Sequence, residues 1–183
     1  GKDRPMRLIQ FDSFVAASAI EADDEKTVMR RFGTLLVDAS PQGAQGQASV
    51  RHAQNSYGEE FAIKALFPLV RDDAGVPGDM SGDAVAALGN AFMEGYRNLA
   101  AVSSLDGFPT VYGRGTVGGV PAVLMEWVEG PNLLEAMPQL PHADGDARRL
   151  TPDCVAAIGE AVADVLCRTA NLDSTFAHRD ISP

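Results

Sequence analysis

The sequence predicts an α+β fold: a five-stranded antiparallel sheet with one long helix, followed by the first helices of a second, helical region. Three observations predict it. Short β-rich runs separated by Gly, Pro, Asn and Asp turn signals occupy residues 34–66 and 110–127. A stretch after Ser81 repeats apolar residues at spacings of three and four, the period of a helix. A second stretch of the same period follows a proline-broken connection.

Residues 1–31 carry Phe11, Phe14, Val15 and Ile20 in a partly helical pattern without a motif and read as a flanking segment. Thr34–Val37 is the first expected strand, and Ala48–His52 follows it across a Pro/Gly-containing loop. The turn signal Asn55-Ser56-Tyr57-Gly58 leads to a third strand over Phe61–Leu66, so short connections imply an antiparallel meander. Residues 68–82 are loop by composition. Ser81 is the candidate N-cap of a long helix whose stripe is Val85, Leu88, Phe92, Tyr96 and Leu99. Its other side carries Ala87, Ala91, Glu94 and Ala101, small enough to lie close to a neighbouring surface. Two more strands, Thr110–Arg114 and Ala122–Trp127, flank a Gly118-Gly119 turn. Pro131, Pro138 and Pro141 then break the chain. Thr151-Pro152-Asp153 combines an N-cap, a proline at the first helical position and an early acid, and opens a helix running to about Ala170.

Charge and composition narrow the function. The 183 residues carry a net charge of −10, which argues against a nucleic-acid binder or an anionic-membrane binder. With 45% hydrophobic and 22% charged residues, the chain has the make-up of a folded globular protein. It shows neither a membrane-spanning apolar run nor a signal-peptide stretch, so a cytoplasmic setting is expected. Cys154 and Cys167 share one helical pattern, about 20 Å apart, and cannot bridge within it. The histidines His52, His142 and His178 are scattered, which leaves no framework for zinc.

Several strings carry chemistry. Ala62-Ile63-Lys64 sets a lysine in an apolar strand, and Pro41-x-Gly43-x-x-Gly46-x-Ala48 lies upstream, where glycines let backbone N–H groups approach phosphate oxygens. Glu94 is the acid well inside the long helix. Leu124-Met125-Glu126-Trp127-Val128-Glu129-Gly130 is a strand leaving its sheet, able to offer a main-chain donor and acceptor on one edge. Phe176-Ala177-His178-Arg179-Asp180 ends the series.

In that order the elements resemble the protein-kinase superfamily, bacterial Ser/Thr type, over roughly residues 32–183. The resemblance implies a protein-kinase-like fold with a small lobe and hinge at 32–130 and the start of a helical large lobe at 131–183. It implies ATP-dependent phosphoryl transfer to a Ser/Thr hydroxyl of a protein substrate, with ATP and Mg²⁺ as cofactors. Lys64 would reach the α/β-phosphates, held by Glu94, and Gly43 and Gly46 would approach the phosphates. Met125 would be the gatekeeper behind the adenine, the backbone of Glu126 and Val128 would pair with the base, Asn132 would lie near the ribose, and Ala62 would belong to the same cofactor-binding set. Asp180 would accept the substrate hydroxyl proton while His178 braces the loop and Arg179 meets a phosphorylated activation loop.

The departures matter too. Proline and alanine replace the first glycine and the final valine of the glycine loop, and Ser182 stands where Ser/Thr kinases commonly have lysine. Pro183 precedes the positions of the metal-binding asparagine and the Asp-Phe-Gly motif. The resemblance therefore assigns no metal ligand and implies activity in the complete parent protein rather than in this stretch alone. Two other readings stand beside it: a pseudokinase that binds nucleotide or a partner, and a small-molecule phosphotransferase, against which Arg179 argues. Apolar surface on the 152–170 helix would favour self-association.

Overall fold

The computed structural model describes residues 5–18, 20, 24–40, 49–70, 74–143, 145–146 and 149–172. Seven strands form one antiparallel sheet: Met6–Gln10 (β1), Ser13–Ala16 (β2), Thr34–Asp38 (β3), Ser49–Gln54 (β4), Glu60–Ala65 (β5), Val111–Val117 (β6) and Val120–Glu126 (β7). Their spatial order is β1-β3-β4-β5-β7-β6-β2. The helices are Glu25–Phe32 (α1), Gly82–Val102 (α2), Leu133–Ala136 (α3) and Pro152–Leu172 (α4), with a 3₁₀ turn at Met137–Gln139.

This corrects the expected fold class. The five segments read as strands are β3 to β7, but the sheet is a seven-stranded curled half-barrel, not a five-stranded protein-kinase-like sheet. The difference lies in residues 6–32, which supply a strand to each sheet edge and then α1. Ile9 and Phe11 point inward while Leu8 and Gln10 are exposed, which is strand alternation. The helix-like spacing of Phe11 and Phe14 arises because the chain turns a corner at Asp12. There, consecutive residues bond to opposite edges of the sheet: the Phe11 N–H donates to the Gly33 carbonyl and the Asp12 N–H to the Thr116 carbonyl, both at 2.8 Å. The Asp12 carboxylate also accepts from the Gly119 N–H at 3.0 Å, tying the corner to the β6–β7 turn. Gly118 and Gly119 make that two-residue turn with φ of 55° and 78°, the left-handed pair such hairpins favour.

An aromatic ladder fills the curl. Ring centroids step from Phe11 to Phe14 (5.1 Å), Phe14 to Phe32 (5.3 Å), Phe32 to Phe61 (5.8 Å) and Phe61 to Tyr112 (5.3 Å). Leu35, Val37, Ile63 and Leu124 complete the core and are essentially solvent-free. Each fully buried side chain of this size contributes about 1.5–3 kcal/mol. A bulge between Val111 and Gly113 lets Tyr112 join the ladder while Val111 packs with Val123 and Ala17. Burial raises the Tyr112 hydroxyl pKa, and the Glu126 carboxylate adds to the shift. Gly113 and Gly115 give β2 its close approach to β6: a Cβ on Gly115 would collide with the Ser13 carbonyl and the Phe11 ring, and one on Gly113 with the Val15 carbonyl and the Phe14 ring.

Two polar devices fix the helices of this unit. Asp24 caps α1, accepting from the Thr27 N–H at 2.9 Å, and Arg31 near its end grips Glu59 through Nε at 3.1 Å and Nη2 at 2.7 Å. Asn55, 5% exposed, donates to Glu59 at 2.7 Å and accepts from the Tyr57 and Glu59 N–H groups, so the β4–β5 turn is locked to α1. Arg31 and Asn55 hold the Glu59 carboxyl below its ordinary pKa against the opposing pull of burial. Ser81 caps α2 as expected, and the stripe Val85, Leu88, Phe92, Tyr96 and Leu99 is its half-buried side. The face bearing Ala87, Ala91, Glu94 and Ala101 is exposed rather than closely packed, because the larger stripe already takes the sheet-facing side.

The chain divides into two compact units, residues 1–104 with 108–128, and residues 105–107 with 129–183. In the second unit, Asn132 and Glu135 form a reciprocal capping box on α3. Thr151 accepts from the Cys154 N–H at 3.3 Å at the start of α4, whose Val155 and Val162 are exposed.

Gly115→Ala should lower stability by about 3 kcal/mol through forced overpacking. Gly89→Ala, in mid-α2 with open space around its Cβ, should raise it by about 1 kcal/mol. Denaturant melts of both variants check the contrast, and an unperturbed Gly115→Ala would refute the close approach of β2. Because the folded pKa of Glu59 is depressed, its contribution is present above the ordinary value of 4.5 and is lost as pH falls through the lower folded value. Glu59→Gln should therefore flatten the acid limb of the stability–pH profile; an identical acid limb would mean the clamp contributes nothing.

Candidate functional site

The aromatic ladder occupies one face of the sheet, so strand alternation places the remaining side chains of β4, β5, β7 and β6 on the other. The register sets them in two rows. Val50 pairs with Lys64 and Lys64 with Val123, then Val123 with Arg114 and Arg114 with Val15. Two residues along, His52 pairs with Ala62 and Ala62 with Met125. Ala62, Val123 and Met125 are buried at 6%, 3% and 8% exposure, while Val50, Lys64 and Arg114 are exposed. An apolar floor thus carries two cations at its rim.

The Lys64 side chain has no hydrogen-bond or ion-pair partner among the described residues. It sits exposed on the central strand of the seven-stranded sheet, where lysine costs β-propensity. Glu94 is not brought to it. Glu94 is exposed, and its place two residues from Phe92 and Tyr96 puts it about 160° round the helix from the sheet-facing stripe. No ion pair joins Lys64 and Glu94. Beneath α2, Lys64 and Val123 line a cavity of about 260 Å³ together with Leu88, Phe92, Gly95 and Tyr96.

At the end of β7, Glu126 is clasped to Thr110: its N–H donates to the Thr110 carbonyl at 2.8 Å, and its carboxylate accepts from the Thr110 N–H at 2.9 Å. Trp127 follows, half-buried and edge-on to His52 with centroids 4.8 Å apart; His52 Nε2 lies 3.0 Å from the Glu60 carboxylate. Val128 is 64% exposed with its strand ended. Asn132 belongs to the second unit, where its side-chain oxygen accepts from the Glu135 N–H at 2.8 Å as a helix cap. Gly43 and Gly46, with Pro41 and Ala48, and Asp180, with His178 and Arg179, lie outside the described residues.

Among the described residues no group of three or more His, Cys, Asp or Glu side chains could hold a metal ion, and no Mg²⁺ ligand is assigned. No helix among them is long and apolar enough to cross a membrane. Sequence reading missed Arg114, Val50 and the His52–Trp127 contact. Period-two alternation places Val50 and His52 with Ala62 and Lys64 once the β4–β5 register is known. Arg114 has no such signal, because the bulge near Tyr112 shifts the alternation of β6.

Comparison with known proteins finds no matching family model, no matching curated protein and no matching solved structure.

Proposed function

We propose that the chain binds a purine nucleoside triphosphate on the β5–β7 face, and that binding serves ATP-dependent phosphoryl transfer to a Ser/Thr hydroxyl of a protein. One observation carries this reading: Lys64 stands unpaired and exposed in the same sheet row as Val50 and Val123, beside the buried pair Ala62 and Met125. A flat base suits an apolar floor, and a free ammonium at its edge suits a phosphate. The string His178-Arg179-Asp180 supplies the group that would orient the acceptor hydroxyl. Mg²⁺ would enter with the nucleotide as its counter-ion. ATP as co-substrate and the two free thiols Cys154 and Cys167 suit a cytoplasmic setting.

A second reading has its own observation. Phosphoryl transfer in protein kinases requires the strand lysine to be held by a helix glutamate, and here Glu94 is exposed on the far side of α2. That favours a nucleotide-binding module without transfer, the pseudokinase alternative.

The two readings separate in paired measurements. ATP·Mg²⁺ should raise the melting temperature of the chain by mass action, and Lys64→Ala should abolish the rise. No rise in the parent chain, or an equal one in the variant, removes the nucleotide site. Transfer of the γ-phosphoryl group to protein, lost in Asp180→Ala, would establish the enzyme reading. Binding without detectable transfer would establish the module.

A further inference from the structure

A cleft lies beneath α2, lined by Lys64, Val123, Phe92 and Tyr96. It measures about 260 Å³ and is half-open to solvent. Ala91 and Gly95, both exposed, form its solvent-facing side.

Its charge is equally one-sided. Val123 forms the floor, and the register sets Lys64 directly beside it on β5 and Arg114 directly beside it on β6. The Arg114 guanidinium rests on the Tyr96 ring, 5.7 Å from its centroid, and Tyr96 is part of the cavity wall. Neither cation has a carboxylate partner among the described residues. Glu94, the acid of mid-α2, does not line the cavity. Lys64 thus lines an apolar space walled by Phe92 and Tyr96, and Arg114 stands next to it on the Tyr96 ring.

We infer that this cavity is a binding site for a small aromatic carboxylate. The ring lies against Phe92, Tyr96 and Val123, and the carboxylate faces Lys64 and Arg114. Apolar walls and edge-to-face ring contacts favour the body, and the two exposed cations favour an anion over its neutral ester. Since Lys64 is shared, such a ligand excludes the phosphates of a bound nucleotide and acts as a competitive regulator. That last clause rests on the nucleotide reading; the cavity site does not.

Calorimetric titration of the full 183-residue chain with 2-naphthoate and with methyl 2-naphthoate tests it. The acid should bind at least about tenfold more tightly than the ester, and Lys64→Met and Arg114→Met should each remove about tenfold of the acid's affinity while leaving the ester unchanged. Gly95→Leu, which fills the cavity and favours the helix, should abolish binding of both while keeping or raising the melting temperature. No naphthoate binding, equal binding of acid and ester, or undiminished binding to a folded Gly95→Leu variant overturns the proposal. ATP should weaken naphthoate binding to the parent chain. If naphthoate binds as described but ATP binds nowhere, the cavity stands and the nucleotide reading falls; if ATP binds and naphthoate does not, the reverse holds.

Discussion

Everything in the first unit depends on one corner. Phe11 and Asp12 are neighbours in the chain, yet their N–H groups bond to opposite edges of the sheet, one at Gly33 beside β3 and one at Thr116 on β6. A sheet joined in this way must curl, and a curled sheet has an inside. That inside is what the aromatic ladder fills, and Phe11 and Phe14 reach it from the corner itself. Gly113 and Gly115 are the price, since only bare backbone lets β2 lie close enough to β6 for the corner to close.

Curling the sheet also decides where chemistry can happen. With one face committed to Phe, Leu, Ile and Val, the chemistry-bearing side chains of the central strands are left on the other face. Cross-strand register then does the assembling, setting Val50, Lys64, Val123 and Arg114 side by side from four strands that are scattered over 74 residues of sequence, counting from 50 to 123. α2 covers part of this face with its apolar stripe but leaves a cavity at Gly95. The exposed cations and apolar floor are therefore a by-product of the same alternation that makes the core. What distinguishes them from an ordinary sheet surface is the lack of an acidic partner for either cation among the described residues.

Much of the architecture was legible because its signals are local. Ser81 and Thr151-Pro152 mark helix starts through their own side chains and ring geometry, and both helices begin there. Gly118-Gly119 marks a hairpin because its backbone angles exclude most other residues. The five strands from β3 to β7 follow from β-rich runs between turns. Residues 6–32 were misread for a non-local reason. Phe11 and Phe14 look helical only because a corner separates them, and α1 is announced faintly, by Asp24 as a cap and Val28 with Phe32 one turn apart. The placement of Glu94 was misjudged for another reason: a small-residue face and an apolar stripe both fit a sheet, and packing selects the stripe with more area to bury.

The sequence by itself determined the five strands from β3 to β7, the starts of α2 and α4, and that Lys64 lies in an apolar strand. Those depend on backbone preferences and capping groups within a few residues. Only the tertiary structure decided the number of strands in the sheet, the closure at Asp12, the side of α2 that meets the sheet, and the row joining Lys64 to Arg114. Each of these compares distant segments, and it is settled by shared hydrogen-bond register and by the area each face can bury, neither of which any short stretch of sequence contains.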